Sequence, residues 1–233
     1  MTTLMYTLYA GDYEKAISNN VYNAHLERPS MLSMLPDLKD KSVLDLGCGP
    51  GVYAEHFINH GATVTAYDIS PDMIDIVKKK FGKKLLAYVA DLNDGLPDEL
   101  DSSYDLIVCP LTIHYIEDLT IFFKDVRRVL KEDGSFYFST HHPMVDFQSS
   151  PSGNYFKREL ITEEWNTIGH PVTVQFYRRS LTELFESISC SGMYVSSFNE
   201  GRPSVEMKKN SPESYEYLSQ NPNFIFIECK QSV

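Results

Sequence analysis

Three short apolar segments in the first hundred residues each finish on or beside an aspartate, and this pattern constrains the fold more than any other feature. Ser42 to Leu46 (SVLDL) carries Asp45 and runs into Gly47-Cys48-Gly49-Pro50-Gly51; Ala62 to Tyr67 is followed by Asp68, and Leu85 to Ala90 by Asp91. Val52 to His60 reads as a helix between the first two. Ser70 as N-cap, with Pro71 at the first helical position, opens another that runs to about Phe81. Strands separated by helices of this length need crossover connections, which predicts a parallel sheet covered on both faces. Tyr104 to Cys109, a helix from about Asp118 to Leu130, and Ser135 to Thr140 continue the alternation.

The second half departs from it. Residues 142–178 are predicted as an insertion over the sheet's carboxyl edge, with Pro171 to Arg178 alternating like a strand. Ser180 to Cys190 is a capped helix in which Ser180 and Glu183 match a capping box. Met193 to Phe198 and Phe224 to Cys229 form a closing antiparallel pair. Asp12 to Leu35 reads as helical, broken at Arg28-Pro29, with Met31 and Met34 at core spacing. The expected organisation is one domain: a helical cover (1–40), a cofactor-binding core (41–141), a lid (142–178) and a C-terminal helix with two strands (179–233). At 233 residues, such a domain hides roughly 70% of its unfolded surface without staples.

Ligands of an open parallel sheet bind outside the carboxyl ends of its strands, where the strand order reverses. Three acidic strand ends converge there. The glycine loop allows close backbone approach, and the helix after it offers free N–H groups. Gly49-Pro50-Gly51-Val52-Tyr53-Ala54 even satisfies the dinucleotide pattern. Asp45 separates the alternatives: a carboxylate beside a pyrophosphate is repelled, whereas beside an ammonium it attracts. S-adenosylmethionine carries an ammonium, a ribose and an adenine, which Asp45, Asp68 and Asp91 with Leu92 fit in chain order.

VLDLGCGPG (43–51), TAYDIS (65–70), VADL (89–92) and YDLIVCPLTIHYIED (104–118) resemble the class I S-adenosylmethionine-dependent methyltransferases, in particular the small-molecule branch of ubiquinone and menaquinone biosynthesis. The resemblance spans about residues 23–139. It implies a Rossmann-like seven-stranded sheet whose last strand is antiparallel, with S-adenosylmethionine converted to S-adenosylhomocysteine. Gly47, Cys48, Gly49 and Gly51 would cradle the methionine part and Asp68 the ribose. Ile69 and Met73 would line the adenine, and Cys109 to Leu111 would border the sulfonium by backbone.

Acceptor chemistry falls to three histidines just past strand ends. His142, held extended by Pro143, and His114 are the candidate general bases, and His141 a substrate contact. Arg28 and Tyr22 are candidates for the cofactor carboxylate, Tyr177 and Arg178 for the acceptor. Cys109 at the end of an apolar strand suits a packed thiol, and no metal site is expected.

The net charge of −11 opposes binding to long nucleic acid, which needs a basic face. The four cysteines lack a Cys-x-x-Cys pair and suit reduced, buried thiols in a cytoplasmic protein. Neither a secretory leader nor a membrane span is expected, and the assembly would be a monomer or homodimer. The favoured reading is methyl transfer to a small molecule. Its rivals are a methyltransferase of protein or tRNA, a non-catalytic S-adenosylmethionine-binding protein, and a nicotinamide-dependent oxidoreductase.

Overall fold

The computed structural model describes residues 3–232, so Met1 and Thr2 of the expected cover and Val233 of the C-terminal segment lie outside the described residues. The strands are β1 (Ser42–Leu46), β2 (Thr63–Asp68), β3 (Leu85–Val89), β4 (Tyr104–Cys109), β5 (Leu130–His141), β6 (Glu159–Trp165), β7 (Val172–Arg178), β8 (Met193–Asn199) and β9 (Phe224–Gln231). Seven form one sheet in the order β3-β2-β1-β4-β5-β9-β8. β1 to β5 pair in parallel, and β9, the last in the chain, runs antiparallel between β5 and β8. This is the expected Rossmann-like sheet. Its order reverses between β1 and β4, so a crevice opens above their carboxyl ends.

The helices are α1 (Ala10–Ile17), α2 (Arg28–Leu32), α3 (Val52–Asn59), α4 (Pro71–Phe81), α5 (Leu119–Val129), α6 (Pro143–Asp146), α7 (Leu181–Cys190), α8 (Val205–Asn210) and α9 (Pro212–Gln220). Successive residues of a strand face opposite ways, so β1 feeds two cores. Leu44 and Leu46 join Phe122, Phe123, Phe136 and Phe138 on one face; Val43 joins Phe57, Val77 and Leu106 on the other. Ser70 caps α4 by accepting the Met73 N–H, and Ser180 caps α7 by accepting that of Glu183.

Four local expectations need correction. The helical cover does not break at Arg28-Pro29: a π-turn at Asn23–Glu27 runs straight into α2, and the chain breaks near residues 18–20 instead. The wider turn, followed by Pro29 at the start of α2, tolerates the absence of that residue's N–H. The lid holds two strands, because β6 pairs with β7 in a separate hairpin. α8 and α9 fill the connection between β8 and β9, where no helix was anticipated. Cys190, at the end of α7, is exposed, whereas Cys48, Cys109 and Cys229 are buried free thiols.

The hairpin packs against the N-terminal segment, whose Tyr6 and Tyr13 line the crevice. Met5, Ile161, Val172, Val174 and Phe176 form a small apolar cluster, against which Tyr6, Tyr9, Tyr13 and Tyr115 pack. Among the described residues no helix is long and apolar enough to cross a membrane.

Candidate functional site

The crevice holds a cleft of about 1030 Å³ of empty space, its open mouth included, which is ample for a cofactor-sized ligand. Its floor is the loop after β1. The N–H groups of Gly47 and Cys48 both donate to the Tyr67 carbonyl, at 2.8 and 2.9 Å, which bends the loop over the end of β2. Gly47 has φ +72°, and a Cβ there would lie 2.1 Å from Thr112 Oγ1 on the loop after β4. Glycine is therefore required both for the turn and for the contact between the two loops. Leu111, beside Thr112, is itself left-handed at φ +46°. Its N–H is held by the carbonyl and the hydroxyl of Ser139 at 3.1 and 3.0 Å. A non-glycine residue in this conformation costs energy and persists only where its surroundings enforce it.

Asp68 ends β2 and reaches into the cleft. One carboxylate oxygen accepts the Gly49 N–H and the other the Ser70 N–H, both at 2.8 Å. Each oxygen keeps a lone pair for a ligand hydroxyl. Burial raises its pKa, and the two N–H groups oppose the shift. Asp91 lies across the cleft, its carboxylate bonded to both the N–H and the side-chain amide of Asn93. Ile69, Met73 and Leu92 form the apolar wall of the cleft beside these two aspartates, with the Asn93 amide next to it.

Asp45 lies beneath the loop rather than on the cleft surface. It is completely buried, and neither carboxylate oxygen has a hydrogen-bond partner of good geometry. Burial and the neighbouring Asp68 push its pKa up to about 8, partly offset by the Ala54 N–H at the start of α3. A raised pKa keeps Asp45 largely protonated at neutral pH, so the anionic group at the cleft surface here is Asp68. Asp45 therefore does not form the ammonium contact expected of it, because the glycine loop lies between it and the cleft; the free lone pairs of Asp68 and the size of the cleft fit a nucleoside such as S-adenosylmethionine.

Of the other expected cofactor residues, Gly47, Cys48, Gly49, Leu111 and Arg28 line the cleft with those above. Gly51, Cys109 and Tyr22 do not. Gly51 starts α3 in a left-handed conformation, and a Cβ there would lie 2.7 Å from the Phe81 ring of α4, so it serves helix packing. Cys109 is fully buried at the end of β4, its thiol pushed up by burial. Tyr22 points to solvent at 44% exposure.

No expected acceptor residue lines the cleft. His142 caps α6: its Nδ1 accepts the Met144 N–H at 3.2 Å, which leaves Nε2–H to donate to Glu200 at 3.1 Å. Both ring nitrogens are thus engaged away from the crevice. His114 is buried and stacked on His141 at 4.1 Å, and burial with His141 and Arg179 drives its pKa well below the usual value. His141 pairs with Asp146 at 3.2 Å and sits against Trp165 and Phe176 under the hairpin. Arg178 is completely buried and bonded to Glu159 and to three carbonyls of the lid, so it organises the hairpin. Tyr177 lies on the same strand, under the Arg179 guanidinium.

Sequence reasoning missed Glu27, which does line the cleft. It is buried, and its carboxylate accepts the Tyr53 hydroxyl at 2.9 and 3.0 Å and the Ser139 hydroxyl at 2.7 Å. Burial raises its pKa to about 7 against those two donors and Arg28. The available signal was an acidic residue four positions before Met31, on a stripe otherwise assigned to the core. Tyr6, Tyr13 and Tyr115 were also missed. Their roof is tied by a 2.8 Å bond between the Tyr6 and Tyr115 hydroxyls.

Comparison with known proteins agrees with this geometry. Residues 44–138 match the family described as a methyltransferase domain. A ubiquinone biosynthesis O-methyltransferase of Coxiella burnetii is 32% identical over 120 residues, covering 50% of this chain and 51% of that protein. The chain spans about half the length of the curated relatives it matches. A structure described as an S-adenosylmethionine-dependent methyltransferase from Mesorhizobium loti is 25% identical, with a TM-score of 0.70 over 88% of this chain and 97% of that one. One from Listeria monocytogenes, described as a candidate enzyme of the same kind, is 28% identical, with a TM-score of 0.75 over 89% and 97%.

Proposed function

This chain belongs to the class I S-adenosylmethionine-dependent methyltransferases, and on that premise we propose that it methylates a small-molecule acceptor. The observation that carries the choice of acceptor is the roof over the cleft. Tyr6 closes one side by bonding Tyr115, and its carbonyl accepts the Ser70 hydroxyl at the end of β2. A cleft bridged in this way suits a compact molecule better than a polymer segment. The net charge of −11 points the same way, since tRNA binding relies on basic surface.

When bound, S-adenosylmethionine supplies an electrophilic methyl group, so the chain's contribution is chiefly alignment and exclusion of water. Asp68 accepts the ribose hydroxyls. Gly47 to Gly49 support the amino-acid end, and the backbone of Pro110 to Thr112 borders the reacting centre. The hydroxyls of Tyr6, Tyr13 and Tyr115 remain protonated at neutral pH, because burial raises all three pKa values. They present donors and aromatic edges to the acceptor.

Incubation of the protein with methyl-labelled S-adenosylmethionine and three acceptor pools tests this reading. Label is expected in a low-molecular-mass metabolite fraction. Transfer to bulk tRNA or acid-precipitable protein, with none to metabolites, would contradict it.

A further inference from the structure

β3 forms one edge of the seven-stranded sheet. Edge strands are usually blunted by charges, prolines or bulges, because an open row of N–H and C=O groups invites a further strand. The opposite edge, β8, has such a device: its register against β9 shifts between Val195 and Ser197. β3 (LLAYV) has no charge and no proline, and its register against β2 is unbroken. Leu86, Tyr88 and Val89 are nonetheless 58%, 45% and 51% exposed.

The sheet face beside this edge is open as well. The crossover from β3 to β4 holds a short turn at Leu92–Asp94, where the other parallel crossovers carry α3, α4 and α5. Thr63, Thr65, Leu86 and Tyr88 therefore line a broad groove with Leu100 at its rim.

The pairing of β3 fixes where its remaining backbone groups point. The Ala90 N–H donates to the Asp68 carbonyl of β2, and backbone groups change sides at each residue of a strand. Leu86 and Tyr88 thus turn their groups to β2, while Leu85, Ala87 and Val89 turn theirs outward. A second copy of β3, running antiparallel about a two-fold axis at Ala87, offers outward groups at matching positions. Ala87 then meets its own copy, Leu85 meets Val89, and Leu86 meets Tyr88 on the open face. The same axis sets Lys83 and Lys84, both exposed, beside residues 90–94 of the other copy, which include Asp91 and Asp94. Apolar side chains face apolar ones and the basic end faces the acidic end, so the edge is complementary to itself.

We propose that this chain forms a homodimer by antiparallel pairing of β3 with β3 of a second copy, which joins the two sheets into one. Leu86 and Tyr88 are its central side-chain contacts, and the two open grooves meet across the axis.

Sedimentation of the purified protein at micromolar concentration is expected to give twice the chain mass of 26.6 kDa. Leu86→Lys puts a charge into the strand pair and should raise the dimer dissociation constant at least about fiftyfold. Its circular dichroism should not change, because Leu86 is exposed. Cysteine cross-linking reads the register, in a Cys190→Ser background that removes the exposed thiol. Directly opposed residues of a non-hydrogen-bonded pair lie about 4.5 Å apart at Cα, within disulfide reach. Mild oxidation of a mixture of Leu86→Cys and Tyr88→Cys proteins should therefore yield a covalent dimer, and neither variant alone should. A monomeric wild-type protein would overturn the proposal, as would a dimer that survives Leu86→Lys. Failure of the mixture to cross-link, or equal cross-linking of either variant with itself, would place the contact in another register or on another face and overturn it too.

Discussion

Replacing Asp68 with alanine is expected to weaken binding of S-adenosylhomocysteine by roughly ten- to a hundredfold while the chain stays folded. Two contributions add. The ribose hydroxyls lose charge-assisted bonds worth about 1–3 kcal/mol. The Gly49 and Ser70 N–H groups also lose their acceptor, which loosens the floor of the cleft at the point where the glycine loop meets α4. Folding should survive, because β2 is held by backbone pairing to β1 and β3 and because the removed carboxylate is itself costly to bury. Calorimetry checks the affinity and circular dichroism the fold. An unchanged dissociation constant would remove this strand end from the cofactor site.

Replacing Arg178 with alanine should act on folding instead. The guanidinium donates to the carbonyls of Asn154, Tyr155 and Lys157, pairs with Glu159 at 2.9 Å and lies over the Phe147 ring. Glu159 in turn is held well below the usual carboxylate range, at about 2, by hydrogen bonds from Ser150 and Ser152 and by Arg178. Truncation would leave an anion and three carbonyls in the lid without their donor, the costly way to break such a pair. A fall in Tm of about 10 °C is expected, with early proteolysis between residues 150 and 160. Lysine should restore only part of the loss, since it cannot reproduce the planar fork. Normal melting combined with a raised KM for the acceptor would instead place Arg178 in substrate binding.

The sheet and the cofactor end of the site were legible in the sequence because both are written locally. A parallel strand announces itself as an apolar run, and the aspartate that lines the cleft sits at a known offset from the run's end. Asp68 and Asp91 are therefore found by counting, as is the glycine loop between Asp45 and α3. The roof of the cleft is built by contacts between distant segments, which no local pattern encodes. Tyr6 meets Tyr115 across 109 positions, and Ser139 meets Glu27 across 112. His142 shows the reverse error: its position after β5 suggested a cleft-facing base, but Pro143 starts α6 and the ring turns to cap it. Arg178 was expected at the acceptor, yet it holds the hairpin together. Its partners are mostly carbonyls, which the sequence does not display.

The claim on which the rest depends is that the acidic crevice above β1 and β4 takes an S-adenosyl ligand and rejects a pyrophosphate. Titration of the wild-type protein with S-adenosylhomocysteine and, separately, with NADH tests it most directly. One saturable site for S-adenosylhomocysteine and no detectable heat with NADH is the predicted result. Saturable binding of NADH with none of S-adenosylhomocysteine would contradict the assignment of Asp68, and with it the proposed reaction.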